Sequence, residues 1–276
     1  MSAAIEPTSR LSRRLLAPNP GPMTLDGTNS YLLSAPGGAS SVVVDPGPLD
    51  EAHLRALAAG PVELILVTHH HADHTAGSAR LAALTGAPVR ALDSAHCIGG
   101  EPLRDGEQFL AAGVGIRVVA TPGHTADSVC FLLGDDAPLD QGAPELGAGA
   151  TGSVLTGDTI LGRGSTVIAH PDSTLAEYLD SLDTLAAIGP ALVLPGHGPG
   201  LPSLADVCAQ YREHRMQRLE EVRAALAVLE GELGGAPALH EPFVARITAI
   251  VYPDVDPHIL PAAEASVRAQ LVYLLD

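Results

Sequence analysis

Thr68-His69-His70-His71-Ala72-Asp73-His74 follows directly on the apolar run of residues 62–67. Such a run indicates a buried strand, so the histidine cluster lies in the loop at its end. Within the cluster His69 and His71 can point the same way, while Asp73 and His74 begin the next helix and can face a second ion. So many imidazoles and a carboxylate are too polar to bury without partners, and this mixture of nitrogen and oxygen ligands suits Zn²⁺. The alternative is a solvated histidine run that binds no metal.

Three later loops repeat one arrangement, in which a ligand-capable residue stands beside glycine or proline after a predicted strand. They are Thr121-Pro122-Gly123-His124-Thr125, Thr156-Gly157-Asp158-Thr159 and Leu194-Pro195-Gly196-His197-Gly198. Small neighbours allow the backbone to approach an ion closely. The sequence therefore predicts a metal site assembled from several strand ends.

The chain up to about residue 200 alternates short β-branched runs with Ala/Leu-rich stretches, which predicts a layered α/β domain. Predicted strands cover residues 30–34, 41–45, 62–68, 89–92, 116–120, 128–133, 153–156 and 191–194, and predicted helices cover 49–59, 74–84 and 175–188. Thr174 and Glu177 have the spacing of a capping box at the start of the third helix. Residues 134–152 lack periodicity and are predicted to form a mobile loop inserted between two strands.

Beyond residue 202 the pattern becomes helical. Residues 204–229 carry an apolar stripe with charged residues on the opposite face. Two shorter helices are predicted over residues 242–252 and 261–275. The chain is therefore divided into an α/β domain of residues 1–202 and a helical domain of residues 203–276.

Composition narrows the class of protein. No apolar run reaches the roughly 18 to 20 residues that span a bilayer, and the N-terminus has no apolar signal segment, so we expect a soluble, cytoplasmic protein without a membrane partner. Cys97, Cys130 and Cys208 are far apart in the sequence and support neither a disulfide framework nor a thiolate metal site. The formal net charge of −17 disfavours tight non-specific binding of nucleic acid, although it leaves room for a local basic cleft.

The order and content of these four motifs resemble the metallo-β-lactamase superfamily. This resemblance implies an αββα sandwich and a dinuclear metal site with two Zn²⁺, with Mn²⁺ or Fe as alternatives. It assigns His69, His71 and His124 to one ion, Asp73, His74 and His197 to the other, and Asp158 to a bridge between both. Two ions that share a water molecule lower its pKa toward about 7, so hydroxide is the expected nucleophile and Asp73 is counted among the catalytic residues.

Two further residues are expected to support the ligands. Asp45 ends a predicted strand in Val44-Asp45-Pro46-Gly47 and, by the same resemblance, holds the ligand histidines through hydrogen bonds. Thr68 can hydrogen-bond within the ligand loop. The alternatives are that Asp45 only forms a turn and that Thr68 only ends its strand.

Several other segments are similar to one subgroup, the β-lactamase-like protein 2 family. They are residues 19–32, Ser165-Thr166-Val167-Ile168, Pro195-Gly196-His197-Gly198-Pro199 and Tyr211-Arg212-Glu213-His214-Arg215. The similarity implies a small winged-helix-like C-terminal domain and, in a characterised branch, endoribonuclease activity on single-stranded RNA. Because the sequence stops at Asp276, close to the end of the last predicted helix, we expect the wing to be incomplete.

The first functional hypothesis is therefore metal-dependent hydrolysis of phosphodiester bonds in single-stranded RNA. His214, Arg215 and Arg218 would contact phosphate, and His170 would protonate a leaving group. The alternative is an ordinary charged helix face for the first three residues and a plain loop position for His170.

Two other hypotheses stay open. The protein could be a small-molecule hydrolase of thioesters or other acyl esters, similar to glyoxalase II, which has the same metal motif. The acidic net charge favours that assignment. The helical tail could instead be a docking module for protein or nucleic acid, although the complete ligand set argues against a non-enzymatic role. The sequence leaves the oligomeric state open.

Overall fold

The computed structural model describes residues 4–139, 152–233, 239 and 241–275, and its strands form two sheets. The first sheet follows chain order: β1 (Glu6–Pro7), β2 (Ser12–Leu16), β3 (Asn29–Leu33), β4 (Ser41–Val44), β5 (Val62–Leu66) and β6 (Val89–Arg90). The second has the order β11-β10-β9-β8-β7, with β7 (Gln108–Ala111), β8 (Val114–Ala120), β9 (Val129–Leu133), β10 (Ser153–Gly157) and β11 (Leu192–Pro195). Most of the predicted loop of residues 134–152 lies outside the described residues.

The strands that precede the histidine cluster, Asp158 and His197 form parallel pairs. Strand β5 pairs in parallel with β4 and β6, and β10 pairs in parallel with β11, while the other pairs are antiparallel. Parallel strands of one sheet end at the same edge, and loops at the carboxyl ends of such strands are where ligands commonly bind. This topology brings distant loops of the chain to one place.

The helices cover the outer faces of the sheets. They are α1 (Glu51–Leu57), α2 (Ala72–Thr75), α3 (Ser78–Thr85), α4 (Leu175–Ala186), α5 (Leu204–Leu233), α6 (Glu241–Val251) and α7 (Leu260–Leu275), with a short 3-10 helix at Ser94–His96. None of the helices in the described part of the chain is long and apolar enough to cross a membrane.

The two sheets face each other across an apolar core. Side chains of β3 to β5 meet those of β7 to β11 there, and Leu66 and Phe131 are fully buried. Burial of one such side chain stabilises the fold by about 1.5–3 kcal/mol. Helices α1 and α3 cover the outer face of the first sheet, and α4 with the first half of α5 covers the outer face of the second. The predicted αββα sandwich is confirmed.

Helix α4 begins with the capping box that the sequence predicts. The Thr174 hydroxyl accepts a hydrogen bond from the Glu177 backbone N–H at 3.2 Å, and the Glu177 carboxylate accepts one from the Thr174 backbone N–H at 2.9 Å. These bonds satisfy two backbone donors that the first turn of a helix leaves free. They fix where the helix starts, next to the loop that carries residues 161–173.

The helix predicted over residues 74–84 is wrong as a single element. The structure has α2, which ends at Thr75, and α3, which begins at Ser78, and at Gly77 between them a Cβ atom would lie 2.7 Å from Leu54 Cδ2, so the close packing requires glycine there. The sequence patterns also miss β1, β2 and β7. Strand β2 has Arg13 and Arg14 between buried Ser12 and Leu15, so it shows neither an apolar run nor a regular alternation.

Helices follow β11 in the described residues, which confirms the C-terminal helical region. The second half of α5 packs against α6 and α7 through Val222, Phe243, Ile247 and Val267. The first half of α5 belongs instead to the apolar cluster of α4. Because packing is continuous across residue 202, the division of the chain at that residue stays a prediction, as does a winged-helix arrangement.

Candidate metal centre

Five loops at one edge of the sandwich meet at a cluster of histidines and carboxylates. Asp45 follows β4, the segment from Thr68 to His74 follows β5, His124 lies between β8 and β9, Asp158 follows β10, and His197 follows β11. Each of these segments therefore begins at the end of a strand, and Asp73 and His74 lie in the short helix α2 that follows β5. The structure brings together all seven residues that the sequence analysis assigns to metal.

The first group of ligand atoms comes from three histidines. His71 Nδ1 lies 3.1 Å from His69 Nε2 and 3.0 Å from His124 Nε2. Burial is the main cause that lowers the pKa of His69, and it lowers the pKa of His71 to about 4. Both imidazoles are therefore neutral at pH 7, which is the form that binds a metal ion.

The second group consists of Asp73, His74 and His197. His197 Nε2 lies 3.0 Å from an Asp73 carboxylate oxygen and 3.3 Å from His74 Nε2, and His74 Nε2 lies 3.4 Å from the same carboxylate. Burial opposes a charge on His197, but hydrogen bonds to Asp158 and Asp73 outweigh it and raise its pKa to about 9. A metal cation bound between these two carboxylates would take the place of the positive charge on His197.

Asp158 reaches both groups. Its carboxylate oxygens lie 3.4 Å from His74 Nε2, 3.3 Å from His197 Nε2 and 3.8 Å from His124 Nε2. Burial alone would raise the pKa of Asp158, but the neighbouring His74 and His197 hold it well below the usual range. The side chain is therefore a carboxylate placed between the two groups.

The donor set fits divalent cations. Ligand atoms within each group lie within 4.8 Å of one another, and the Oδ1 atom of Asp158 is buried without a hydrogen-bond partner. A buried carboxylate oxygen without a partner costs free energy that a cation would recover. Imidazole nitrogens and carboxylate oxygens in this number are the ligands of zinc and of related transition metals.

Three of the ligand histidines form hydrogen bonds through Nδ1, the ring nitrogen that does not belong to the ligand groups. His124 Nδ1 donates to the Val167 carbonyl at 2.8 Å, and His197 Nδ1 donates to the Gly27 carbonyl at 3.0 Å. His69 Nδ1 lies 3.0 Å from the Thr68 hydroxyl. Such bonds select the tautomer and the ring orientation of a metal ligand.

Asp45 accepts three hydrogen bonds from the segment of Thr68 to His74. Its carboxylate accepts from the Thr68 backbone N–H, from the Thr68 hydroxyl and from His74 Nδ1, each at 2.8 Å. Its backbone has a φ of +53°, which non-glycine residues rarely adopt and which is typical of functional sites. Gly157 makes room for this arrangement, because a side chain at that position would meet the Thr68 hydroxyl at 2.6 Å. The structure thus places Asp45 and Thr68 beside the ligands, as expected.

Several groups that support the site were not predicted from the sequence. Buried Asn29 donates to the Pro195 carbonyl at 2.8 Å and to the Gly198 carbonyl at 2.9 Å, and so holds the loop of His197. The Arg215 guanidinium donates to the carbonyl of Thr166, whose hydroxyl lies 3.1 Å from His124 Nδ1. The amide of Asn29, directly before the predicted strand of residues 30–34, was the one available signal, because a buried amide needs hydrogen-bond partners.

A cleft of about 310 Å³ opens beside His124 and Asp158. Apolar side chains form much of its wall and come from the segment before β3, the loop after β10 and the C-terminal helices: Pro22, Met23, Leu25, Leu161, Val167, Tyr252, Val255, Ile259, Ala262 and Ala263. Between 300 and 1,000 Å³ is the usual range for small-molecule sites. The C-terminal helices thus complete a cleft that begins at the metal ligands.

The three residues predicted to bind substrate, His214, Arg215 and Arg218, line this cleft, whereas His170 does not. His170 lines a different cavity with Thr174 and Tyr273, and its Nδ1 atom is buried without a hydrogen-bond partner. Its predicted role as an acid therefore stays a prediction that no contact with the ligand residues supports.

Comparison with known proteins identifies the class. A sequence model of the Metallo-beta-lactamase superfamily matches residues 23–137. The Lactamase-like protein vrtG of Penicillium aethiopicum is 33% identical over 270 residues, which are 95% of this chain and 80% of that protein. The chain belongs to the metallo-β-lactamase superfamily. It is therefore a hydrolase whose fold implies binding of divalent metal.

Two further relatives bear on the subgroup. The Beta-lactamase-like protein 2 homolog of Caenorhabditis elegans is 32% identical over 235 residues, covering 79% of this chain and 72% of that protein. The Atrochrysone carboxyl ACP thioesterase of Aspergillus fumigatus is 31% identical over 229 residues, covering 79% of this chain and 66% of that protein. The expected β-lactamase-like protein 2 relative is thus present, together with a thioesterase.

Solved structures share the fold. The metallo-beta-lactamase family protein TTHA1429 from Thermus thermophilus superposes with a TM-score of 0.71 at 23% identity, over 96% of this chain and 93% of that chain. The protein TTHA1623, solved in a di-iron-bound form, superposes with a TM-score of 0.53 at 27% identity, over 72% of this chain and 97% of that chain. The first match extends through the C-terminal helices.

Proposed function

We propose that the protein hydrolyses acyl thioesters at a dinuclear metal centre, with two Zn²⁺ as the expected ions and Mn²⁺ or Fe as alternatives. The observation that carries the proposal is the apolar cleft that starts at His124 and Asp158 and ends at the C-terminal helices. Apolar walls suit the hydrocarbon part of an acyl group, since each buried methylene contributes about 0.8 kcal/mol. The thioesterase of Aspergillus fumigatus among the relatives supports this substrate class.

The same features weigh against the RNA hypothesis that the sequence favoured. Single-stranded RNA is bound in basic grooves with aromatic side chains for its bases, and its affinity depends on neutralising phosphates. Tyr252 is the one aromatic side chain among the described residues of this cleft, and the chain carries a net charge of −17. An acyl thioester needs neither a long basic track nor stacking platforms.

In the proposed reaction the bound ions and the side chains of the protein would have different roles. Bound ions would polarise the thioester carbonyl and lower the pKa of a water molecule toward about 7. Asp45 and Thr68 keep the ligand rings oriented, and the apolar wall excludes water from the acyl chain. Asp73 stays the proposed catalytic carboxylate, and its side chain is the more accessible of the two, 28% exposed against 11% for Asp158.

The test is a substrate panel with zinc-reconstituted protein. Acyl-glutathione, acyl-pantetheine and a fluorescent single-stranded RNA are compared for the wild type and for Asp158→Asn, with the exposed Asp206→Asn on α5 as the matched control. We expect thioester turnover that Asp158→Asn lowers at least about 100-fold, the upper range for losing a group that only supports a ligand. Asp206→Asn should keep wild-type rates. Absence of turnover on every thioester would overturn the proposal.

Cleavage of single-stranded RNA is the second candidate. It is favoured by one observation, that His214, Arg215 and Arg218 line the same cleft as the metal ligands. RNA cleavage by the wild type that Asp158→Asn abolishes, without turnover of the thioesters, would establish this candidate in place of the first.

A further inference from the structure

We infer that His214, Arg215 and Arg218 form a subsite for an anionic group that the substrate carries at a distance from its thioester bond. These three residues are called the basic wall. The inference rests on the proposed function and deepens it, because it adds a charged recognition element to an otherwise apolar cleft.

The basic wall lies on one stretch of α5 and lines the same cleft as two of the metal ligands. All three residues line the cleft together with His124 and Asp158. Arg215 and Arg218 are three positions apart, so they share one face of the helix. A substrate held at the metal centre therefore meets these side chains along the same cavity.

Arg215 is a buried cation without a carboxylate partner in the described part of the chain. It is 3% exposed, its guanidinium donates to the Thr166 carbonyl, and it lies 5.1 Å from the centre of the Tyr178 ring. Its Nε atom is buried and has no hydrogen-bond partner. A buried charge that lacks a counter-ion is costly, and an anion entering the cleft would offset that cost.

Arg218 is the accessible member of the basic wall. Its guanidinium lies 2.6 Å from the Glu221 carboxylate in the next turn and 5.0 Å from the centre of the Tyr252 ring. An exposed ion pair between neighbouring turns contributes only about 0–1 kcal/mol, so Glu221 competes weakly with a substrate anion. The Tyr252 ring fixes the orientation of the guanidinium at the side of the cleft.

Among the described lining residues, the other charged side chains are paired or belong to the metal centre. The basic wall is therefore the positive part of the cleft. Arg163 also lines it, but both of its terminal nitrogens bind the Asp26 carboxylate at 2.7 and 2.9 Å, a two-bond pair that holds the guanidinium more firmly than the single contact of Arg218 with Glu221. Asp158, the acidic residue among the described lining residues, belongs to the ligand set. Burial and the neighbouring Arg215 and Arg218 lower the pKa of His214, which therefore serves as a neutral hydrogen-bond donor at pH 7.

A thioester substrate can present an anion at either of two places. One is a carboxylate on the acyl chain, and the other is the phosphate of a phosphopantetheine arm on the thiol side. Both are oxyanions that a guanidinium binds through two parallel hydrogen bonds. The experiment therefore varies the two positions independently.

Four thioesters form a two-by-two set: the acyl chain ends in a carboxylate or a methyl group, and the thiol is phosphopantetheine or pantetheine. The ratio of kcat/KM for charged over uncharged substrate is measured for zinc-loaded wild type, Arg218→Gln, Arg218→Lys and the control Arg223→Gln, whose partner on the same helix is Glu220. We expect Arg218→Gln to lower this ratio about tenfold through KM at one of the two positions. Arg218→Lys should restore part of it, and Arg223→Gln should leave it unchanged.

A binding measurement separates this inference from the proposed function. Calorimetry compares an α,ω-dicarboxylate with the monocarboxylate of equal chain length, and phosphopantetheine with pantetheine. Tighter binding of the dicarboxylate or of phosphopantetheine than of its matched probe to the wild type, reduced in Arg218→Gln, supports the subsite even if no thioester is hydrolysed. Equal affinity of the wild type for both members of each pair, or a preference that Arg218→Gln retains, overturns the subsite whatever the turnover.

Discussion

The Asp45 carboxylate accepts a hydrogen bond from His74 Nδ1 at 2.8 Å, and neither side chain is more than 3% exposed. The same carboxylate accepts two bonds from Thr68, the residue that begins the ligand loop. A single residue after β4 therefore orients a ligand that follows β5. The geometry of the metal centre depends on this link between neighbouring strand ends.

Replacing Asp45 should weaken metal binding without removing a ligand. Asp45→Asn keeps the shape and tolerates the positive φ, but its amide N–H₂ can face His74 Nδ1 and oppose the required tautomer. We expect a 10- to 100-fold loss of zinc affinity, on the order found when groups that support ligands are changed. Competition with a chromogenic chelator measures it. The exposed Asp180→Asn on α4 is the control, and equal zinc affinity of Asp45→Asn and wild type would refute the link.

Metal removal should lower stability. The empty centre would hold buried Asp158 with an unpartnered oxygen, and a ligand that binds only the folded state stabilises it by about 2.7 kcal/mol at a concentration 100 times its Kd. We therefore expect a chelator to lower the Tm by several degrees and zinc to restore it at two equivalents. A Tm that does not respond to zinc, or one that saturates at a single equivalent, would contradict two coupled sites.

Asn29 should contribute to the stability of the fold although it is not one of the metal ligands. Asn29→Ala leaves the Pro195 and Gly198 carbonyls without its donors in a buried region, and the expected loss is about 1–3 kcal/mol in the free energy of unfolding. Urea unfolding of the metal-free protein measures this loss directly. The exposed Gln217→Ala on α5 should change the free energy little, and an Asn29→Ala protein as stable as this control would count against the assigned role.

His53 should make the protein sensitive to acid. Burial lowers its pKa from 6.5 to about 4, while its Nε2 lies 2.9 Å from the Ser30 hydroxyl. The unfolded chain therefore takes up the proton first, and stability is lost as the pH falls from about 6.5 to about 4, by up to about 3 kcal/mol.

The control for this pH effect is His53→Gln, which keeps a donor near Ser30 but does not titrate. Both proteins are unfolded in urea without metal between pH 7 and pH 4, so the titration of the ligand histidines is common to them. The difference in free energy between wild type and His53→Gln should narrow or reverse toward low pH. A difference that is constant with pH would show that His53 does not titrate in this range.

The metal ligands were predictable because each stands beside a local signal. His69, His124, Asp158 and His197 all follow buried strands and have small or ligand-type neighbours, so short windows of sequence identify them. The layered α/β class followed from the alternation of strand and helix patterns, and the αββα order from the family resemblance. The division between α2 and α3 was not predicted, and the close approach of Gly77 to Leu54 is a tertiary contact that local patterns do not contain.

Local sequence patterns could not predict the groups that orient His124 and His197, nor the shape of the cleft. The groups that orient His124 and His197 are backbone carbonyls of Val167 and Gly27, and every residue has a carbonyl. The cleft joins residues that are more than two hundred positions apart, such as Met23 and Ile259. The α5 residues that line the cleft, His214, Arg215 and Arg218, were named from the resemblance to the β-lactamase-like protein 2 family and not from the local pattern of the helix.

Anomalous diffraction at the zinc edge from crystals of the zinc-loaded protein would show directly whether the centre is dinuclear. We expect two peaks roughly 3.5–4 Å apart, one beside His69, His71 and His124 and the other beside Asp73, His74 and His197, with the Asp158 carboxylate between them. A single peak, or two peaks of which one lies away from Asp158, would contradict a dinuclear centre bridged by that residue.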